Sequence, residues 1–97
     1  MDINYSHLPD YMVEPTRLYI EEGLQPGDFL FALFSNDFMG VMGRADETNR
    51  TMLREWSMFL YNEAPSRCYG STELVKAWIK QGGMLPQLLK GKEQVLD

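Results

Sequence analysis

The chain has few of the residues from which redox, metal or nucleophilic chemistry is built. Its 97 residues contain one cysteine, Cys68, and one histidine, His7. A single cysteine excludes an internal disulfide, so nothing here requires an oxidising compartment. A zinc site needs several Cys, His or carboxylate ligands at set spacings. His7 has none beside it and reads as a surface or packing residue. Cys68 has only Arg67 as a basic neighbour in sequence, too little to hold a reactive thiolate. No apolar run exceeds six residues, Phe29 to Phe34, far below the roughly 20 residues of a membrane span. The opening MDINYSHLPD lacks the basic and apolar regions of a signal peptide. Gly40-Val41-Met42-Gly43 lacks the lysine, the spacing and the preceding strand of a phosphate-binding loop. These absences lead to the expectation of a cytoplasmic, non-enzymatic protein with no cofactor, no metal and no membrane partner.

Positive charge is also scarce. Nine Lys and Arg stand against 14 Asp and Glu, a net charge of −5. Nonspecific binding to nucleic acid needs a basic footprint, so no nucleic-acid partner is expected. The acids are scattered, the longest run being Glu21-Glu22, and suit a solvated surface.

What is present is a globular composition, 44% apolar and 12% aromatic. A chain of this length buries roughly 65% of its unfolded surface, enough to fold alone. Seven Met and five Phe suggest a soft core or a soft contact surface, because Met adapts its shape to its neighbours.

Periodicity predicts an all-α, small single-domain bundle of about four to five helices, at 10–22, 28–35, 37–44, 46–62 and 71–81. Residues 1–83 form the helical domain, with a short N-terminal arm over 1–8. Residues 84–97 are a tail, partly docked or frayed. In the first helix Leu8, Tyr11, Met12, Leu18 and Tyr19 share a face, and Gly23 is a stop signal. Pro15 admits two readings: a start near Asp10 with a kink, which is favoured, or a regular helix beginning at Pro15. Asp28 is placed to cap Phe29–Phe34. That run also fits a buried strand, but Ala32, two Leu and the flanking polar residues favour helix. Asn36 suits the left-handed turn after it.

Asp37 then caps a short connecting helix weakened by Gly40 and Gly43. These two glycines share a face that another backbone can approach. Asp46 caps the longest predicted helix, whose stripe is Met52, Leu53, Trp56, Phe59 and Leu60. Extending that stripe upward brings Asn49 to the core side, where its amide must find partners. Asp46 and Arg50, at i and i+4, form a favourable surface pair. Ser71 caps the last helix, in which Leu74, Val75, Trp78 and Ile79 make two i, i+4 pairs on one face. Met84, Leu85, Leu88 and Leu89 are candidates to dock the tail.

The polar residues near the start of the longest helix form the candidate ligand- or partner-binding site: Asn36, Asp37, Arg44, Asp46, Asn49 and Arg50. Arginines with Asn and helix N-termini are what an anionic ligand needs. Capping and loop cross-linking account for the same residues more simply. Asn62, Arg67 and Ser71 gather at the opposite end. If Met39, Met42 and Met58 lie outside the core, they make an apolar patch that needs a partner, and a homo-oligomer is one way to cover it.

The combination GDFLFALFSNDF, GRADETN, FLYNEAPSRCYGS and VKAWI resembles a family of short proteins encoded by tailed bacteriophages and prophages, over roughly Tyr11 to Gly83. The chain departs from that pattern at Pro15 and at Tyr69, where many relatives carry Trp. The resemblance implies a small accessory protein in the infected host's cytoplasm and carries no activity with it. The leading expectation is therefore a phage protein that binds a host protein, for host takeover or anti-defence. Binding of a small anionic ligand such as a nucleotide by Arg44, Asn49 and Arg50 ranks second. A structural or assembly role ranks third, and an enzyme last.

Overall fold

A computed structural model of the chain describes residues 3–84. The described residues form an all-α single domain of six α-helices and a one-turn 3₁₀ helix, with no strand among them. The helices are α1 (Asp10–Glu22), α2 (Asp28–Phe34), α3 (Phe38–Arg44), α4 (Glu47–Thr51), α5 (Leu53–Asn62) and α6 (Thr72–Gln81). The 3₁₀ turn, Ser66–Cys68, lies between α5 and α6. Of the expected tail, only Met84 lies within the described residues, and it is buried; Leu85, Leu88 and Leu89 lie outside them.

The helix α1 begins at Asp10 and runs through Pro15 without a break. Its buried residues are Thr16, Tyr19 and Ile20, so the inward face is rotated from the expected one and Tyr11 is exposed. The Thr16 hydroxyl is satisfied by the Met12 carbonyl at 2.7 Å. The run Phe29–Phe34 is helical, and α2 buries Phe29, Leu30, Ala32 and Phe34. Asp28 does not cap it: Gly27 occupies the N-cap position with no side-chain cap. The Asp28 carboxylate instead meets Arg44 at 3.4 Å.

The largest departure from the sequence pattern lies in the segment expected as one helix over 46–62. It divides at Met52, whose backbone (φ −112°, ψ 23°) leaves the helical region. The cause is local. The Thr51 hydroxyl donates to the Thr48 carbonyl at 2.9 Å, the acceptor that the Met52 N–H would take in a continuous helix. Met52 N–H turns to Asn49 O at 3.2 Å instead. Such threonine back-bonding competes with the helical ladder. The longest continuous helix is therefore α1.

Two tryptophans organise the core. Trp56 lies 5.5 Å from Phe29 and 6.4 Å from Phe59 between ring centroids, both edge-on, the geometry aromatic quadrupoles favour. Trp78 of α6 is buried, and its indole N–H donates to Ile20 O at 3.0 Å. Met84 N–H donates to Glu21 O at 3.1 Å. The open carbonyls at the end of α1 are thus satisfied by α6 and the residue that follows it. This is the close backbone approach in the fold. Gly23 and Gly83, both left-handed, meet there, and a Cβ on Gly23 would stand 2.5 Å from Gly83 N. Gly40 and Gly43 make no such contact. Gly40 sits against Ala32, and Gly43 faces open space.

The N-terminal arm is docked rather than loose. Leu8 is buried, and the Tyr5 ring lies 5.6 Å from Phe59. Burial raises the Tyr5 phenol above its ordinary value, and its hydrogen bond to Glu21 adds to that.

Candidate functional site

The polar junction from Asn36 to Arg50 separates into residues with structural work and residues that face outward. Asn36 holds the left-handed turn, φ 62°. Asp37 accepts from the Gly40 N–H at 3.0 Å and caps α3. Asp46 accepts from the Asn49 N–H at 2.7 Å and caps α4. Asp46 also accepts a hydrogen bond from the Tyr11 hydroxyl, 35 residues away. That bond is the main reason its carboxyl sits below the usual range, with the Asn49 N–H second. The Tyr11 phenol is raised in return, first by the same bond. The expected Asp46–Arg50 pair does not form among the described residues.

Asn49 is the one member of the set that is buried, 3% exposed. Its side-chain oxygen accepts from the Trp56 indole N–H at 3.1 Å. This bond satisfies both a buried amide oxygen and a buried indole donor. Arg44 pairs with Asp28 at the surface, a contact worth little in water. Arg50 is exposed and has no ion-pair partner among the described residues. Of the second polar group, Ser71 caps α6 by accepting from Leu74 N–H at 3.1 Å, while Arg67 is exposed on the 3₁₀ turn.

Between these caps, α3 displays an apolar face to solvent. Phe38 is 70% exposed, Met39 74% and Met42 37%. At 100° per residue these three occupy one sector, with Gly43 beside them, while Val41 alone is buried. Asn36, Asp37 and Arg44, all exposed, bracket the helix that carries this face. An apolar centre of Phe and Met with a polar border containing Arg is the composition of a protein interface.

A second feature lies elsewhere. A cleft of about 320 Å³ runs between the arm and α5. Asn4 and His7 supply one wall; Arg54, Glu55, Met58, Phe59, Asn62 and Glu63 supply the other. Met58, grouped by composition with Met39 and Met42, belongs here and not with α3. No residue of the predicted junction lines this cleft. Its signal in the sequence was the two rows Arg54, Met58, Asn62 and Glu55, Phe59, Glu63 at i, i+4 and i+8. Only the docking of the arm makes those rows the floor of a cleft.

Cys68 is fully buried, and burial pushes its thiol up to about 12. A thiol held protonated at neutral pH is not a nucleophile. No group of three His, Cys, Asp or Glu among the described residues is placed to hold a metal. No helix among them is long and apolar enough to cross a membrane. Comparison with protein-family models, with curated proteins and with solved structures finds no match.

Proposed function

We propose that this chain acts by binding another protein through the outward face of α3. The observation that carries the reading is the exposure of Phe38, Met39 and Met42 together on one seven-residue helix. Single exposed apolar residues are ordinary; a contiguous aromatic and thioether surface with a polar border is a contact site. The resemblance to phage and prophage proteins makes the partner a host protein, met in the cytoplasm of the infected cell. Anion binding has less support. The Asn49 oxygen is committed to Trp56, and Arg44 faces Asp28, which leaves Arg50 alone of the three expected ligand groups.

The test is affinity capture from host lysate with the tagged chain, beside a Phe38→Ser, Met39→Glu double variant whose fold is checked by circular dichroism. The expected result is a specific protein whose capture falls roughly tenfold or more in the variant. Equal capture by both proteins, or no specific protein with either, would overturn the reading.

A further inference from the structure

The methionines of the described residues stand in three environments. Met84 is buried. Met12 and Met52 are partly covered and pack against the core. Met39, Met58 and Met42 stand in water, 74%, 50% and 37% exposed. A thioether sulfur that solvent reaches is open to a peroxide. Oxidation to the sulfoxide turns a flexible apolar side chain into a polar one. The usual faster competitor, a cysteine thiolate, is missing from this surface. Cys68 is fully buried, and burial keeps its thiol protonated. A peroxide therefore meets the exposed thioethers first.

Position separates the three exposed sulfurs. Met39 and Met42 occupy the middle of the outward sector of α3, with Phe38 on one side and Gly43 on the other. Met58 lies on α5, in the wall of the cleft beside the arm. The groups that seat α3 are different ones. Val41 is its buried residue, Gly40 sits against Ala32, and the Asp37 side chain caps the helix. An oxygen atom added to Met39 changes the surface and leaves the helix in place.

We propose that Met39 is an oxidation switch on the α3 face: a peroxide converts it to the sulfoxide ahead of the other described methionines, and the modified face no longer takes an apolar partner. The sulfur lone pair attacks one peroxide oxygen, so the S–O bond forms as the O–O bond breaks. The departing hydroxide takes the proton of the transferred hydroxyl and leaves as water. Sulfur is oxidised by two electrons and the peroxide is reduced by two. Thiol-dependent methionine sulfoxide reductases, one for each epimer, reverse the change, and the exposure of Met39 leaves it within their reach. Met42, on the same face and less exposed, follows at higher oxidant. The effect on binding rests on the reading of α3 as a contact surface; the order of oxidation does not.

The experiment exposes the folded full chain to a rising excess of hydrogen peroxide, with circular dichroism to check the fold. Three readouts follow: mass mapping of each methionine and of Cys68, retention on a hydrophobic-interaction column, and capture from host lysate. The expected result is that Met39 gains oxygen first. At that dose the chain elutes earlier and capture falls roughly tenfold, and treatment with both reductase types and a dithiol restores the two. Met39→Leu keeps capture and loses the sensitivity at that dose, whereas Met58→Leu keeps both. Oxidation of any other described sulfur ahead of Met39 would overturn the proposal, as would unchanged retention once Met39 is fully modified. Unchanged capture at that point, where the Phe38→Ser, Met39→Glu variant loses it, would end the switch and leave the contact surface standing. Absence of a captured protein from the untreated chain would end the contact reading, and mass and retention would still decide the oxidation of Met39.

Discussion

The helices α3 and α5 both carry large apolar side chains, yet they turn their aromatic rings in opposite directions. The α5 helix turns Trp56 and Phe59 inward and leaves Arg54, Ser57 and Tyr61 outside. The α3 helix buries only Val41 and shows Phe38, Met39 and Met42 to water. The difference is one of pattern. In α5 apolar and polar residues alternate with the helical period, so only one face can be buried. In α3 six of the seven residues lack a polar side chain, Arg44 being the exception, and the sequence FMGVMG permits either orientation. What holds α3 with its large residues outward is its attachment. The Asp37 N–H donates back to Ala32 O at 2.9 Å, the Asp37 side chain caps the helix, and Gly40 sits against Ala32. Two small residues at the α2–α3 contact leave no room there for Phe38 or Met39. An apolar helix pinned through its small side displays its large one.

Four measurements test this contrast. The largest effect is expected at Trp56. Trp56→Ala should cost roughly 3–5 kcal/mol in urea unfolding; a loss under about 1 kcal/mol would mean the α5 stripe does not face the core.

The second concerns pH, and it too belongs to the buried side. The Cys68 thiol has an ordinary value of 9.0 and a folded value of about 12. Above pH 9 the unfolded chain gives up this proton and the folded chain keeps it. The unfolded state then binds fewer protons, so stability falls as pH rises from 9 toward 12, by at most about 1.4 kcal/mol per pH unit from this group. Tyr19, raised mainly by burial, and Tyr5 shift the same way and steepen the fall above pH 10. Cys68→Ala should flatten the first part of that decline; an unchanged slope between pH 9 and 10 would remove Cys68 as its source.

Asn49→Ala is third. It strands the buried Trp56 indole N–H and should cost about 1–3 kcal/mol, with a change in tryptophan fluorescence that Arg50→Ala does not produce. The smallest effect on stability belongs to α3. Phe38→Ser and Met39→Ser should each stay within about 0.5 kcal/mol of the parent. A loss above about 2 kcal/mol would show that α3 is packed inward and would erase the contrast with α5.

Much of the architecture is legible in the sequence. Capping chemistry located Asp37, Asp46 and Ser71, because a side-chain acceptor beside a helix start is a local device. Asn36 is legible for another local reason, its tolerance of the left-handed region. Failures came where two local rules compete or where a distant partner decides. The division at Met52 goes with a Thr48–Thr51 back-bond that a count of apolar spacing does not include. Tyr19 faces inward as expected and donates to the Cys68 carbonyl 49 residues away, whereas Tyr11 leaves the inward face and donates to Asp46 at the surface. Helical spacing pairs Asp46 with Arg50, but the Tyr11 phenol reaches Asp46 instead. The candidate site was legible only as a region. Its polar members are mostly caps, and the surface they border is apolar.

Taken alone, the sequence determined the class of the fold, most helix boundaries and the burial of Asn49 beside the Trp56 stripe. These depend on hydrophobic period, caps and glycine stops, all of which act within one or two helical turns. Tertiary structure alone decided which way α3 faces, that the arm docks on α5, and that Gly23 and Gly83 meet. Each of these is a contact between segments far apart in the chain. Its energy depends on shape and free volume at the meeting point, and no periodicity within either segment encodes that.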